Sequence, residues 1–367
     1  MERLRLFLHH ILSFHISLAS TISHYLFSPF SKIRRFPIIT PISEWFLSVY
    51  FKFACNLIQC TVDLDDQTTM HFLAPAHRRF NKPNLVMIHG YGGNSKWQFV
   101  YQVASLAESF NVYIPDLLFF GKSYSNRANR TEAFQAECVA AGLRRLGVER
   151  CSIYAISYGG FVCYRMAEMH PELVEKAVIV SSGVGCTQSQ KGEQMKNVGI
   201  DVLDLLLPRT PVGMKRLVEL SVHKSNPLRW APDFVLEEFI DVSALNGNSI
   251  CFHVDDVKVN VGSIVDYVDA FIFDDDKTMC NTNRKEKQEL VEHLLANSEK
   301  CKVQPLSQEI LLVWGDKDKI FPLNFAYELQ RNLGPKASLE ILRDAGHAVN
   351  FDSPDSLNDL IKGFILE

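Results

Sequence analysis

Short apolar runs and helical stretches alternate along most of this chain. "NLVMIHG" (84–90) is an apolar run ending in glycine, the pattern of a strand buried on both faces of a parallel sheet. A helical stretch follows from about Trp97 to Ser109, then the strand "NVYIPD" (111–116) and a helix from about Thr131 to Leu146. The strand "CSIYA" (151–155), a helix to about Met169 and the strand "AVIVSS" (177–182) continue the series. Thr131, just ahead of Glu132 and Ala133, suits a helix N-cap. Such alternation predicts an α/β fold, a mostly parallel sheet with helices on both faces.

The alternation stops after "SSGVG". Residues 187–305 carry helical patterns ("VGIDVLDLLLP", "MKRLVELSV", "FVLEEFIDV", "RKEKQELVEHLL") and no clear central strand. It resumes with "EILLVWGDKD" (309–318), a helix around Leu323–Leu333, "ASLEIL" (337–342) and a last helix from about Ser353. One α/β domain with a helical insertion is the simplest organisation. Within the insertion, Val257, Val259 and Val261 alternate with polar residues at strand period, in conflict with their helical surroundings.

The N-terminus follows a different pattern. No Asp, Glu, Lys or Arg lies between Arg5 and Lys32, while Leu4, Leu8, Ile11, Leu12, Leu18, Ile22, Tyr25 and Leu26 fall near helical spacing. Four histidines (9, 10, 15, 24) and many serines make a poor bilayer-spanning helix. Arg3, Arg5, Lys32, Arg34 and Arg35 flank it, as in helices lying on an anionic membrane surface. Membrane-surface contact through residues 4–35 is therefore one reading; a signal or transit segment, or a helix packed on the domain, are the others.

Composition narrows the class. With 367 residues, 47% apolar and 22% charged, the chain is that of an ordinary globular protein. A net charge of −4 with both signs scattered excludes a nucleic-acid binder on electrostatic grounds. Nine cysteines at 55, 60, 138, 151, 163, 186, 251, 280 and 301 form no C-x-x-C pair. They suggest a reduced compartment, cytoplasmic or membrane-associated, and neither a disulfide framework nor a zinc site. The sequence calls for no metal or cofactor. Asp255-Asp256 and Asp274-Asp275-Asp276 read as solvated acidic runs, and Asn129-Arg130-Thr131 as a helix start rather than a glycosylation site.

Four stretches carry the chemistry. In "YAISYGGFV" (154–162), Ser157 follows a strand and precedes a helix, with small residues two before (Ala155) and two after (Gly159). A turn this tight needs them, because neighbouring backbones approach closely. "HGYGG" (89–93) follows the adjacent strand, where the amide of Tyr91 or Gly92 can join that of Tyr158 as an oxyanion hole. "GDKDKIFP" (315–322) offers Asp316 and Asp318 at a strand end, either able to orient a histidine. "DAGHAVNFDSP" (344–354) places His347 in a loop after the last strand. Each stretch alone is weak, since glycine turns, loop aspartates and lone histidines are usually structural. Their order, Ser157, then Asp, then His347, is that of a Ser-Asp-His triad.

With "VMIHGYGGN", "IPDLLFFGKSYS", "YAISYGGFVCYRMAEMHPELVEK", "LLVWGDKDKIFP" and "DAGHAVNFDSP", the chain resembles the α/β-hydrolase superfamily over residues 57–190 and 300–367. It is most similar to plant members grouped with meta-cleavage-product (C–C bond) hydrolases and esterases. The resemblance implies an α/β-hydrolase fold and selects Asp318, three residues after the loop glycine, as the triad acid. It also implies a cap of helices over the site, matching 187–305.

Three departures stand out. Ala155 replaces the usual glycine, as in some lipase-like members. Residues 1–45 form an N-terminal extension without counterpart in the family core. Thirty-six residues, 243–278, separate two cap helices that are continuous in similar proteins. Without them the Ser157–Asp318 spacing would fall from 161 to 125 residues, nearer the family layout. They are expected to be a poorly ordered insert, the alternative being a cap hairpin peculiar to this chain.

The expected activity is that of a metal-independent serine hydrolase on a small or medium-sized apolar substrate, cleaving an ester or, by the resemblance, a C–C bond of a diketone-like compound. Two alternatives are a ligand receptor built on the same scaffold and a hydrolase disabled by the insert. Trp97, Phe119 and Phe120 are candidates for the pocket mouth, although aromatic residues are more often core.

Overall fold

The computed structural model describes residues 39–92, 94–224, 231–240, 283–296 and 303–367. The N-terminal pattern over 4–35, the insert 243–278, its valine alternation and its acidic runs lie outside the described residues. In chain order the first elements are α1 (Ile39–Phe53), β1 (Leu57–Asp63), β2 (Thr68–Pro75), β3 (Asn84–Ile88), α2 (Ser95–Phe99) and α3 (Val103–Ala107). Then come β4 (Asn111–Pro115), β5 (Tyr124–Ser125), α4 (Glu132–Arg145), β6 (Cys151–Ile156), α5 (Tyr158–Met169) and β7 (Val174–Val180). Five helices follow among the described residues: α6 (Gln188–Val198), α7 (Val202–Leu206), α8 (Pro211–Ser221), α9 (Asp233–Ile240) and α10 (Arg284–Ala296). The chain ends with β8 (Glu309–Gly315), α11 (Leu323–Leu333), β9 (Ala337–Leu342), α12 (Val349–Asp352) and α13 (Pro354–Leu366).

The sheet runs β1-β2-β4-β3-β6-β7-β8-β9, with β5 beside β2. From β4 to β9 every pairing is parallel; β1 and β2 are antiparallel additions at one edge. Side chains alternate between two cores, as a strand period of two requires. Val86, Ile88, Ile153, Ala155, Ala177, Ile179 and Leu312 meet α4, α5 and α11 on one face. Leu85, Met87, Tyr154, Ile156, Val178, Val180 and Val313 meet α1, α2, α3 and α13 on the other. Because these strands are covered on both faces, their sequences are continuous apolar runs.

Two expectations change. The helix expected over 97–109 is two short helices, since Gln102 N closes a tight turn on the Phe99 carbonyl (3.0 Å) and ends the first. The sequence reading assigns no strands ahead of β3, yet β1 and β2 form a hairpin with seven paired positions. Only β1 alternates in burial; β2 is covered on both faces and shows no period-two pattern. Thr131 caps α4 as expected, accepting from Phe134 N at 3.0 Å, and Asn129 Oδ1 accepts from the Thr131 amide and hydroxyl.

Candidate active site

β6 ends at Ile156 and α5 starts at Tyr158, so Ser157 alone makes the turn, with φ 54° and ψ −117°. A side chain in that region costs about 1–3 kcal/mol and persists only when its surroundings hold it. Here they do. Ser157 N donates to the Val180 carbonyl (2.9 Å), and its own carbonyl accepts from Ser182 Oγ (2.7 Å) and Gly160 N (3.0 Å). At Gly159 a Cβ would stand inside 3.0 Å of the carbonyl oxygens of Ile88 and His89, so α5 approaches β3 only because that side chain is missing. Ala155 is fully buried opposite Ile88, and its methyl packs into the core.

The other predicted groups converge on Ser157. His347 Nε2 lies 3.0 Å from Ser157 Oγ, and His347 Nδ1 lies 3.0 Å from Asp318 Oδ2. The second carboxylate oxygen, Oδ1, accepts from the amides of Ile320 and Phe321, each at 2.8 Å. A carboxylate acceptor at Nδ1 requires that nitrogen to carry the proton, so Nε2 presents its lone pair to the serine hydroxyl. Asp316 takes no part: it pairs with Lys317 Nζ at 2.9 Å and accepts from Ala345 N at 3.4 Å.

Tyr91 and Gly92 lie in the loop after β3, and Gly90 faces the nucleophile so closely that a Cβ there would be 3.0 Å from Ser157 Cβ. Tyr158 opens α5, where first-turn amides have no acceptor within the helix. Gln98 spans the loop: its Oε1 accepts from Gly90 N (2.5 Å) and its Nε2 donates to the Gly92 carbonyl (3.3 Å). Asn350 Nδ2, on the histidine side, donates to the Gln98 carbonyl at 2.7 Å. His89 holds the loop from below. Its Nε2 accepts from Leu117 N (3.0 Å), so Nδ1 carries the proton donated to the Gly90 carbonyl (2.7 Å). Burial pushes the His89 pKa down, in keeping with this neutral ring.

Sequence reasoning missed this supporting set. Gln98, Ser182, His89, Asp116 and Asp352 belong to no spacing pattern, because their partners are distant in the chain or are backbone groups. Asp116 is buried, with Oδ2 2.8 Å from His71 Nδ1 and Oδ1 accepting from Ser95 Oγ at 2.5 Å. Burial alone would raise its pKa; the His71 and Ser95 contacts outweigh it and hold the carboxyl well below the usual carboxylate range. Asp352 accepts from Gly346 N, His223 N and Lys224 N, each at 2.8 Å, joining the end of α8 to the His347 loop.

The inserted helices lie against this site. Tyr91 Oη donates to the Lys287 carbonyl of α10 (2.5 Å), and Trp97 stacks edge-on with Phe239 of α9 at 5.5 Å. Ile320, two residues past Asp318, packs with Leu205 and Leu220. Phe119 and Phe120 are core residues rather than mouth residues, both fully covered. Farther along α5, Phe161 and Tyr164 line a cleft with Glu132, Arg165, Lys191, Val184, Leu294 and Val303, and neither the triad residues nor Tyr91 and Gly92 border it.

Residues 83–210 match the family model described as the alpha/beta hydrolase fold. The chain has the α/β-hydrolase fold. An uncharacterized protein of Mycobacterium tuberculosis is 26% identical over 287 residues, 77% of this chain and 75% of that protein. A 2-hydroxy-6-oxononadienedioate/2-hydroxy-6-oxononatrienedioate hydrolase of Pseudomonas is 23% identical over 289 residues, 77% and 87% of the two chains. Among solved structures, the 2-hydroxy-6-oxo-6-phenylhexa-2,4-dienoate hydrolase of Rhodococcus superposes with a TM-score of 0.63 at 18% identity, covering 85% of this chain and 99% of that one. Carboxylesterase CesB of Bacillus subtilis gives 0.58 at 15% identity, covering 89% and 99%. These relatives are bacterial; the plant grouping expected from the sequence finds no counterpart among them.

Proposed function

We propose that this chain is a serine hydrolase with Ser157 as nucleophile, His347 as general base and Asp318 as the acid that orients it. The observation carrying this reading is the continuous chain Ser157 Oγ–His347–Asp318, with both links at 3.0 Å, on a serine held at positive φ. Ser157 Oγ attacks a substrate carbonyl carbon while its proton passes to His347 Nε2. Asp318 stabilises the resulting imidazolium. The oxyanion accepts from the Tyr158 amide and an amide of the Tyr91–Gly92 turn. Collapse expels the leaving group, which takes the proton from His347, and water then releases the acyl group by the same steps reversed.

A small or medium-sized apolar ester is the substrate class we favour, supported by the likeness to a carboxylesterase. The Pseudomonas and Rhodococcus relatives support a C–C bond of a dienoate-type diketone as the second reading. On either reading the helices between β7 and β8 act as a cap.

Labelling with a fluorophosphonate tests the assignment. The intact mass should gain one adduct in the wild-type chain and none in Ser157→Ala. A folded wild-type chain that takes no adduct would overturn the proposal. Aryl-ester and dienoate substrates then separate the two bond types.

A further inference from the structure

We infer that Tyr91 is a positioning residue through its side chain, its phenol hydroxyl tying the Gly90–Gly92 turn to the inserted helix α10 and so fixing the turn against Ser157. The inference rests on the serine-hydrolase reading, in which an amide of this turn receives the oxyanion. Such a turn needs an outside anchor. A Cβ at Gly90 would meet Ser157 Cβ at 3.0 Å, so a small displacement of the turn is felt at the nucleophile. On the other side, nothing among the described residues stands within 4 Å of a Cβ at Gly92. Gln98 and His89 hold the main chain of the turn, but both lie close by in the sequence.

Tyr91 reaches beyond that segment. Its side chain is buried, the ring edge-on to Phe120 (5.3 Å) and to Tyr158 (5.9 Å), the residue after the nucleophile. Phenylalanine would make those ring contacts equally well. The hydroxyl adds one directed bond, to the Lys287 carbonyl at 2.5 Å. Lys287 lies in the first turn of α10, where a carbonyl accepts within the helix ladder. The phenol therefore takes the second lone pair, and the helix does not need the bond. The turn is the side that gains.

α10 is a firm reference point for it. Just ahead of the helix, Asn283 Nδ2 donates to the Phe119 carbonyl (3.3 Å), and the Arg284 guanidinium donates to the Leu207 carbonyl. Glu289 pairs with Arg130 at 2.8 Å. Lys287 Nζ lies 5.0 Å from the centre of the same Phe120 ring that Tyr91 packs on.

Tyr91→Phe is the test, since it keeps the ring and removes the bond to α10. With an ester that the wild type turns over, kcat should fall about three- to tenfold, within what one net hydrogen bond supplies, while KM stays within about twofold. Affinity for a boronic acid that mimics the tetrahedral state should fall by the same factor. Tyr164→Phe makes the same deletion away from the turn. Its hydroxyl accepts from Gln304 N (2.9 Å), so its loss should lower the melting temperature and leave kcat within about twofold. Full kcat and full boronate affinity in Tyr91→Phe, a loss confined to KM, or an equal loss of kcat in Tyr164→Phe would each overturn the inference alone. A folded wild-type chain that takes neither fluorophosphonate nor boronate would overturn the hydrolase reading, and this inference with it.

Discussion

Gly159 lies beneath the carbonyl oxygen of Ile88, at a separation that leaves no room for a side chain. The helix carrying Ser157 is thereby pressed against the strand that leads into the Gly90–Gly92 turn. Gly159→Ala should lower stability by about 1–3 kcal/mol, the usual cost of overpacking. Gly192→Ala is the control, since nothing stands within 4 Å of its Cβ site and a helical alanine is favourable. Denaturant midpoints check both. Equal shifts would show that close approach is not what position 159 requires.

The two aspartates of the β8 loop should separate cleanly. Asp318→Asn keeps the shape but reverses the donor pattern facing His347 Nδ1, so kcat should fall roughly 10^4-fold. Asp316→Asn loses only an exposed pair with Lys317 and should stay within about twofold of wild type. Comparable losses in the two variants would put the acid assignment in error.

Gln98 grips the Gly90–Gly92 turn at both ends without touching Ser157's proton path. Gln98→Met preserves bulk and removes both hydrogen bonds. We expect kcat about tenfold lower with KM within about twofold, and a matching loss of affinity for a boronic acid that mimics the tetrahedral state. A change confined to KM would count against a positioning role.

Asp352 is the acceptor for three amides drawn from two segments far apart in sequence. Asp352→Ala leaves them without it and should cost about 2–4 kcal/mol. It should also slow turnover, because the His347 loop loses its tie to the end of α8. Thermal melts and steady-state kinetics read the two effects. An unchanged Tm together with an unchanged kcat would dispose of the coupling.

Asp116 predicts a pH dependence. Its folded pKa is depressed, so its contribution is fully present above the unfolded value, about 3.9, and is lost as pH falls through the lower folded value. Wild-type stability should therefore decline more steeply below about pH 5 than that of Asp116→Asn. Parallel curves would mean that the contacts of His71 and Ser95 do not favour the charged form.

Much of the fold was legible along the chain because its central strands are buried on both faces and their helices keep a 3.6-residue period. Tyr154–Val162, the Gly315–Pro322 loop and His347 were visible as candidates because tight turns demand small residues at fixed offsets. The β1–β2 hairpin was less legible: a strand covered on both sides of a mixed edge has no alternation to read. Asp116 and Asp352 were invisible as site supports, since an aspartate bonded to backbone amides or to a distant histidine resembles any loop aspartate.

Sequence alone determined the strand–helix alternation, the turn chemistry at Ser157 and the order of serine, aspartate and histidine, all of which are local or ordinal properties of the chain. Tertiary structure put Asp318 rather than Asp316 beside His347, and moved Phe119 and Phe120 from the mouth to the core. Those outcomes depend on contacts between segments up to about 250 residues apart, such as Asn350 with Gln98. Packing geometry creates such contacts, and no local pattern of residues encodes them.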